Sequence, residues 1–223
     1  MSALVLEGIV ADRGAGHRRV HALRGVDLRL DPGEIVLLEG PSGSGKTTLL
    51  AVAAGLLTPV RGEVTLDGQR LGALSPAAVR DLRARRVGFV FQRANLLDRL
   101  DVHGNVVLAA RLAGLHGAEA DTRSAALLER LGIGPLARRR TDALSGGEEH
   151  RVAVARALVH DPAVIFADEP TASLDGQTGH AVAEALAALA RDRGAAVLVA
   201  THDPRLERFA TRRVRIVDGR LDG

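Results

Sequence analysis

The sequence predicts an α/β fold with a mostly parallel sheet, and three observations carry that reading. Short apolar runs of strand character alternate with segments of helical periodicity in both halves of the chain. A Gly-rich phosphate-loop pattern lies between one such run and the helix that follows it. A second apolar run ends in two adjacent carboxylates, as a buried strand does at the carboxyl edge of a parallel sheet.

Leu4 to Val10 and Val26 to Leu30 alternate with a period of two and read as strands. Glu34 to Glu39 is nearly continuous in apolar residues, which suits a strand buried on both faces. The Gly-rich stretch Gly40 to Gly45 follows, then a helix over Lys46 to Gly55. Strands are expected at Glu63 to Leu66 and Val87 to Phe91, with an Arg-rich helix near Pro76 to Arg85 between them. From Arg93 to Leu144 strand signals vanish. Helices are expected at about Val102 to Leu115 and Asp121 to Leu131, the second ended by Gly132 to Pro135. This stretch reads as a helical insertion. Alternation then resumes with a helix from about Glu148 to His160 and a strand over Val164 to Ala167. A helix from about Gly179 to Arg191 and strands at Val197 to Ala200 and Val214 to Val217 complete it. The organisation expected is one domain, 1–223, with its α/β core in 1–92 and 149–223 and its helical part in 93–148.

Composition sets limits on function. At 223 residues and 46% hydrophobic, the chain can bury a sizeable core, and disorder is excluded as its general state. Aromatics are only 2%, so that core must be Leu, Val, Ala and Ile. The pI of about 10.6 reflects the use of Arg for almost every positive charge, because the formal net charge is only +3. So small an excess argues against a nucleic-acid partner. With no cysteine there is no disulfide, thiol nucleophile or Cys-based zinc site. Met1 to Glu7 has no basic start leading into a long apolar run, so no signal peptide is read there. Apolar stretches such as Ala195 to Ala200 fall far short of the ~20 residues a membrane span needs, so membrane contact is expected only at the surface.

Gly40-Pro41-Ser42-Gly43-Ser44-Gly45-Lys46-Thr47 fits the pattern G-x-x-x-x-G-K-[ST], with Thr48 next in the helix. Glycines let the backbone turn so that successive N–H groups face a phosphate, and the helix adds its positive end. Lys46 can reach the β and γ phosphates, and the Thr47 hydroxyl can ligate Mg²⁺. Lys46 is the only lysine in the chain. A compact ammonium suits such a loop where a planar guanidinium does not.

Ala163 to Glu169 is an apolar strand ending in Asp168 and Glu169. Asp168 is placed to hold Mg²⁺ directly or through water, while Glu169, pointing the other way along the strand, can orient and deprotonate an attacking water. Alone, the pair reads equally well as solvated acids at a strand exit; alongside a phosphate loop the catalytic reading is preferred.

Leu144-Ser145-Gly146-Gly147-Glu148, followed by Arg151 to Leu158, closely resembles the signature motif of the ABC ATPases. The order of phosphate loop, Gln92, signature, acidic strand and His202 is similar to that of their nucleotide-binding subunit over essentially the whole chain. The resemblance implies a P-loop NTPase (RecA-like) core with an N-terminal antiparallel β subdomain and an inserted helical subdomain. It implies ATP and Mg²⁺ as ligands and ATP hydrolysis as the activity. Gln92 looks like the glutamine that contacts Mg²⁺ or water, and His202 like the switch histidine at the γ-phosphate. Asp175, in Ser173-Leu174-Asp175, resembles the residue that reaches across a dimer. Ser145 to Gly147 would grip ATP held by a second copy of the chain, while Ser145 with Glu148 also reads as a helix capping box. The implied partners are that second copy and a transmembrane permease, with the chain cytoplasmic at the inner face of the cell membrane. Val87 to Leu97 resembles the lipoprotein-releasing, macrolide-exporting and cell-division branch, so the alternative to transport is a cell-division or signalling module.

Three departures stand out. The family's adenine-stacking aromatic is missing, and Arg13 falls in its place, where a guanidinium plane can stack on a base. Glu148 stands where Gln is commoner. Asp101 and Gly104 replace the Thr and Glu usual in the segment expected to dock the permease. The clusters Arg83 to Arg86 and Arg138 to Arg140 read first as solvated helix faces and second as contacts to anionic lipid heads.

Overall fold

A computed structural model describes residues 1–14, 20–172 and 174–222. Two sheets form its frame. The first is antiparallel, in the order β2-β1-β4-β5, with β1 Leu4–Arg13, β2 Val20–Leu30, β4 Arg61–Leu66 and β5 Gln69–Arg70. The second has six strands in the order β10-β9-β3-β8-β7-β6. In it, β3 Ile35–Glu39, β6 Val87–Val90, β7 Val164–Asp168, β8 Ala196–Ala200 and β9 Arg212–Val217 are parallel, and β10 Arg220–Asp222 returns antiparallel on β9.

Strand alternation divides the core between the two faces of this six-stranded sheet. Ile35, Leu37, Ile165, Ala167, Val197 and Val199 face one apolar cluster, which also takes residues of α3 Val102–Leu112, α4 Gly117–Arg130, α5 Gly146–Leu158 and α6 Gly176–Arg193. Val36, Leu38, Val164, Phe166, Leu198 and Ala200 face a second cluster with α1 Lys46–Ala53 and the inner face of the antiparallel sheet. Phe166 is the largest fully buried side chain. Burying a ring of that size contributes about 2–3 kcal/mol, and truncating it to Ala would cost about 3–5 kcal/mol.

Helix starts follow their capping residues. Ser75 caps α2 Pro76–Arg86 by accepting from Ala78 N, and Pro76 sits where its missing N–H costs nothing. Asp101 caps α3 by accepting from Gly104 N at 2.7 Å, and Asp175 caps α6 by accepting from Thr178 N at 2.9 Å. Each such cap is worth about 1 kcal/mol. A short helix, α7 Pro204–Glu207, follows β8 and is capped by Asp203.

The helical stretch of the sequence is present as α3 and α4, which pack on each other and on α5. Buried Asn105 of α3 ties the chain after β6 to this layer, accepting from Leu97 N at 2.8 Å and donating to Leu97 O at 3.2 Å. Arg156 of α5 donates to Ala94 O (2.7 Å) and Asn95 O (2.8 Å). These anchors hold the segment that carries Gln92.

Among the described residues no helix is long and apolar enough to cross a membrane. The arginine clusters are largely partnered: Arg85 with Asp81, Arg86 with Asp67, Arg138 with Asp101 and Arg140 with Asp142.

Candidate nucleotide site

The loop between β3 and α1 closes on the single lysine. Lys46 Nζ donates to Gly40 O at 2.5 Å and Pro41 O at 3.0 Å. Gly40 has φ 153°, and a Cβ there would lie 2.2 Å from Ile216 O, so only glycine lets the loop pass this close to β9. The buried Ser44 hydroxyl inside the loop has no hydrogen-bond partner among the described residues.

Opposite the loop, β7 delivers Asp168, which is 5% exposed. Thr47 Oγ1 donates to Asp168 Oδ2 at 2.7 Å. Glu169 comes next, and strand alternation would send it to the other face. It instead has φ 50°, a left-handed conformation that costs a non-glycine residue about 1–3 kcal/mol. With that turn, Glu169 lines the same cavity as Asp168. Its N–H donates to Ala200 O at 2.8 Å and its Oε2 accepts from Thr201 Oγ1 at 3.0 Å.

These groups converge on one open cavity of about 560 Å³. Of the residues expected at the site, Arg13, Ser42, Gly43, Gly45, Lys46, Thr47, Thr48, Gln92, Asp168, Glu169 and His202 line it. Gly40, Pro41 and Ser44 stand directly behind them in the loop. Arg13, Gly14, Val20 and Ala22 complete the described part of the wall. Among the described residues no Phe, Tyr or Trp lines the cavity, and Arg13 makes no hydrogen bond or ion pair.

Ser145, Gly146, Gly147, Glu148 and Asp175 do not line this cavity. Ser145 and Glu148 form a capping box at the start of α5: Ser145 N and Oγ both donate to Glu148 Oε2, at 2.7 and 2.9 Å. The Ser145 backbone N–H, then its hydroxyl, holds the Glu148 carboxyl below the ordinary carboxylate range. Asp175 likewise caps α6 and is held low, first by the Thr178 N–H. Its neighbour Ser173 lies outside the described residues.

Three supporting groups were not foreseen from sequence. Thr201 bonds Glu169, and Asp203 accepts from Thr171 Oγ1 at 2.5 Å and from Arg205 Nη2 at 2.6 Å. The Arg205 guanidinium holds Asp203 down to about 2. His150 of α5 is buried, bonds the Pro170 backbone beside Glu169 and is shifted down by its burial. The one sequence signal for Asp203 was its position before Pro204, an N-cap ahead of a proline at the first helical position.

Among the described residues no cluster of three or more His, Asp or Glu is placed to hold a metal ion. The Thr47 hydroxyl and Asp168 carboxylate are all-oxygen donors of the kind Mg²⁺ takes when phosphates and water complete its shell. A phosphate loop with its single lysine and the threonine beside it, sharing one cavity with an acidic strand end, defines a P-loop nucleoside triphosphatase.

Residues 23–172 match the family described as ABC transporter. The ABC transporter ATP-binding protein YbbA of Escherichia coli (strain K12) is 45% identical over 208 residues, covering 93% of this chain and 91% of its own. The lipoprotein-releasing system ATP-binding protein LolD 2 of Caulobacter vibrioides is 44% identical over 200 residues, covering 90% and 88%. The solved ATP-binding cassette MJ0796, in a dimeric post-hydrolysis state bound to ADP and Pi, has a TM-score of 0.92 at 34% identity, covering 99% of this chain and 97% of that one. The chain therefore belongs to the ABC transporter family and is one of its ATP-binding, ATP-hydrolysing subunits.

Proposed function

We propose that two copies of this chain bind ATP between them at the cytoplasmic face of a membrane permease and drive export by closing and reopening. The observation that carries this reading is the division of the site. The phosphate loop, Gln92, Asp168, Glu169 and His202 share one cavity, while Ser145 to Glu148 and Asp175 stand outside it. A second copy brings the missing half, and the dimeric state of the similar cassette MJ0796 supports that arrangement.

In this reading Gly40 to Thr48 cradle the phosphates and Lys46 turns from the Gly40 and Pro41 carbonyls to the β and γ oxygens. Thr47, Asp168 and Gln92 would hold Mg²⁺, which would neutralise phosphate charge. Glu169 accepts a proton from the attacking water, and His202 donates to the γ-phosphate. Ser145 to Gly147 of the other copy present a hydroxyl and N–H groups at a helix N-terminus, favourable for an anion. Positioning and charge stabilisation, rather than covalent chemistry, supply the acceleration.

The division into a catalytic core, 1–92 with 149–223, and a helical arm, 93–148, gives closure a way to act on the permease. A groove of about 610 Å³ lies where the core meets Leu112 of the arm, lined by Leu56, Val87, Phe89 and Phe91 together with Arg80, Asp81 and Arg83. Leu112 is 65% exposed, which suits a surface covered in the assembly. Export as the direction is supported by the similarity to a lipoprotein-releasing subunit.

The test is steady-state ATP hydrolysis by the wild type against Glu169→Gln, with the oligomeric state of each followed in MgATP. The expected result is loss of turnover in the variant together with a trapped ATP-bound dimer. Persisting hydrolysis in the variant, or absence of dimer from both proteins, overturns the reading.

A further inference from the structure

Two loops bring Glu169 and His202 to the cavity, and one side chain fastens them together. The first loop runs from β7 through Glu169 and Thr171 to Asp175. The second leaves β8 through Thr201, His202 and Asp203. Arg205, 27% exposed at its side chain, lies between them. Its Nε donates to Asp203 Oδ1 and Oδ2 at 2.9 and 2.8 Å, and its Nη2 donates to Oδ2 at 2.6 Å. The rest of the guanidinium crosses to the first loop, donating to Thr171 O at 3.1 Å, Leu174 O at 3.4 Å and Asp175 O at 2.7 Å. Thr171 Oγ1 closes the circuit on Asp203.

His202 sits inside that circuit. The residue before it, Thr201, donates to Glu169 and accepts from Asp203 N at 3.1 Å; the residue after it, Asp203, is held by Arg205. The backbone on both sides of His202 is thereby tied to the loop that carries Glu169 and Asp175. The fold also leaves room for the guanidinium. A Cβ on Gly179, in the first turns of α6, would lie 1.9 Å from Arg205 Nη1 and 2.3 Å from Cζ, so the guanidinium takes the space that a side chain there would fill.

We infer that Arg205 is a positioning residue for hydrolysis: it locks the Glu169–Asp175 loop to the His202 loop, so that the water-activating carboxylate, the γ-phosphate histidine and the dimer-facing aspartate move as one body. The planar fork is what the task requires. It satisfies a carboxylate on one edge and three carbonyls on the other, whereas a lysine ammonium can serve only part of that set. Because none of the clamp's hydrogen bonds reaches the phosphate loop or Arg13, it acts on turnover and leaves nucleotide capture alone.

This inference rests on the proposed two-copy site, and the experiment separates the two. Wild type, Arg205→Ala, Arg205→Lys and Gly179→Ala are compared for kcat and KM of ATP hydrolysis. The trapped MgATP dimer is measured for each variant in the Glu169→Gln background. Expected for Arg205→Ala is a fall in kcat on the order of tenfold with KM held within about twofold, and a smaller trapped-dimer fraction. Arg205→Lys follows it, since restoring the charge does not restore the fork. Gly179→Ala follows as well, although alanine favours a helix, so a folding defect does not explain its loss. Wild-type kcat in Arg205→Ala, full rescue by lysine, or kcat and nucleotide affinity falling together would each overturn the clamp. Failure of the wild type to hydrolyse ATP and of Glu169→Gln to trap a dimer would instead overturn the two-copy reading on which it rests.

Discussion

Thr47 and Asp168 are 121 positions apart in sequence, yet the threonine hydroxyl donates to the aspartate carboxylate at 2.7 Å. One stands at the start of α1 and the other at the end of β7, so this bond closes the floor of the cavity before any ligand arrives. Its geometry ranks the two residues. Asp168 is nearly fully buried, while Thr47 is exposed.

Asp168→Asn should therefore abolish Mg²⁺-dependent turnover, by about 100-fold or more, since an amide replaces the one charged oxygen donor of the pair. Binding of ATP in the presence of a chelator should change by less than about threefold, because Lys46 and the loop N–H groups remain. Nucleotide binding with and without Mg²⁺, beside a turnover assay, checks both statements. Equal loss of binding in the two conditions would assign Asp168 to the fold instead of the ion.

Lys46→Arg keeps the charge and should still fail. The ammonium is held between Gly40 O and Pro41 O at 2.5 and 3.0 Å, in a loop whose Gly40 has no room for even a Cβ. A guanidinium is wider and planar. Nucleotide affinity should drop at least about tenfold and hydrolysis about 100-fold, with the melting temperature unchanged. Fluorescent-nucleotide titration and a thermal melt decide it.

How far the sequence could be read depends on which residues the geometry constrains. Backbone turns that only glycine can make left Gly40 to Thr47 legible, and apolar alternation on Ile35 to Leu38 and Val164 to Ala167 announced a buried parallel sheet. The antiparallel sheet was read short. β2 begins at Val20, not Val26, because register shifts against β1 break the period of two there. α6 begins at Gly176, not Gly179, since Asp175 is itself the cap. The backbone turn at Glu169 has no sequence signature, so alternation pointed that carboxylate away from the cavity it lines. The Arg205 contacts span about thirty residues and pair a side chain with carbonyls, which no residue type announces.

Arg13 sets the expectation for base selectivity. It lines the cavity together with Val20 and Ala22, and among the described residues its guanidinium makes no hydrogen bond or ion pair and no Phe, Tyr or Trp shares the wall. A guanidinium plane stacks on any purine, and its N–H donors match the O6 and N7 acceptors of guanine. GTP should therefore compete with ATP within about threefold, while Arg13→Tyr should shift the ratio toward ATP. Competition binding on both proteins is the measurement; a strong ATP preference in the wild type would remove this role from Arg13.

His150 and His160 set the acid side of stability. Burial pushes both imidazoles below their ordinary value of 6.5, against hydrogen bonds to the Pro170 and Val87 backbones that act the other way. Each also has a buried ring nitrogen without a partner, Nε2 of His150 and Nδ1 of His160. Well above pH 6.5 both are neutral in the folded and unfolded chains, and neither contributes a pH dependence. As pH falls through 6.5 the unfolded chain takes up protons that the folded one refuses, so stability declines until the folded values are reached. Asp203, held to about 2, keeps its contribution throughout this window and loses it only at far lower pH. The melting temperature should thus fall between pH 7.5 and 5.5, where about 1 kcal/mol corresponds to about 2–4 °C for a chain of this size. The double variant His150→Gln/His160→Gln, which cannot titrate at either position, should flatten that slope. A slope unchanged by the double variant would place the acid sensitivity in other groups.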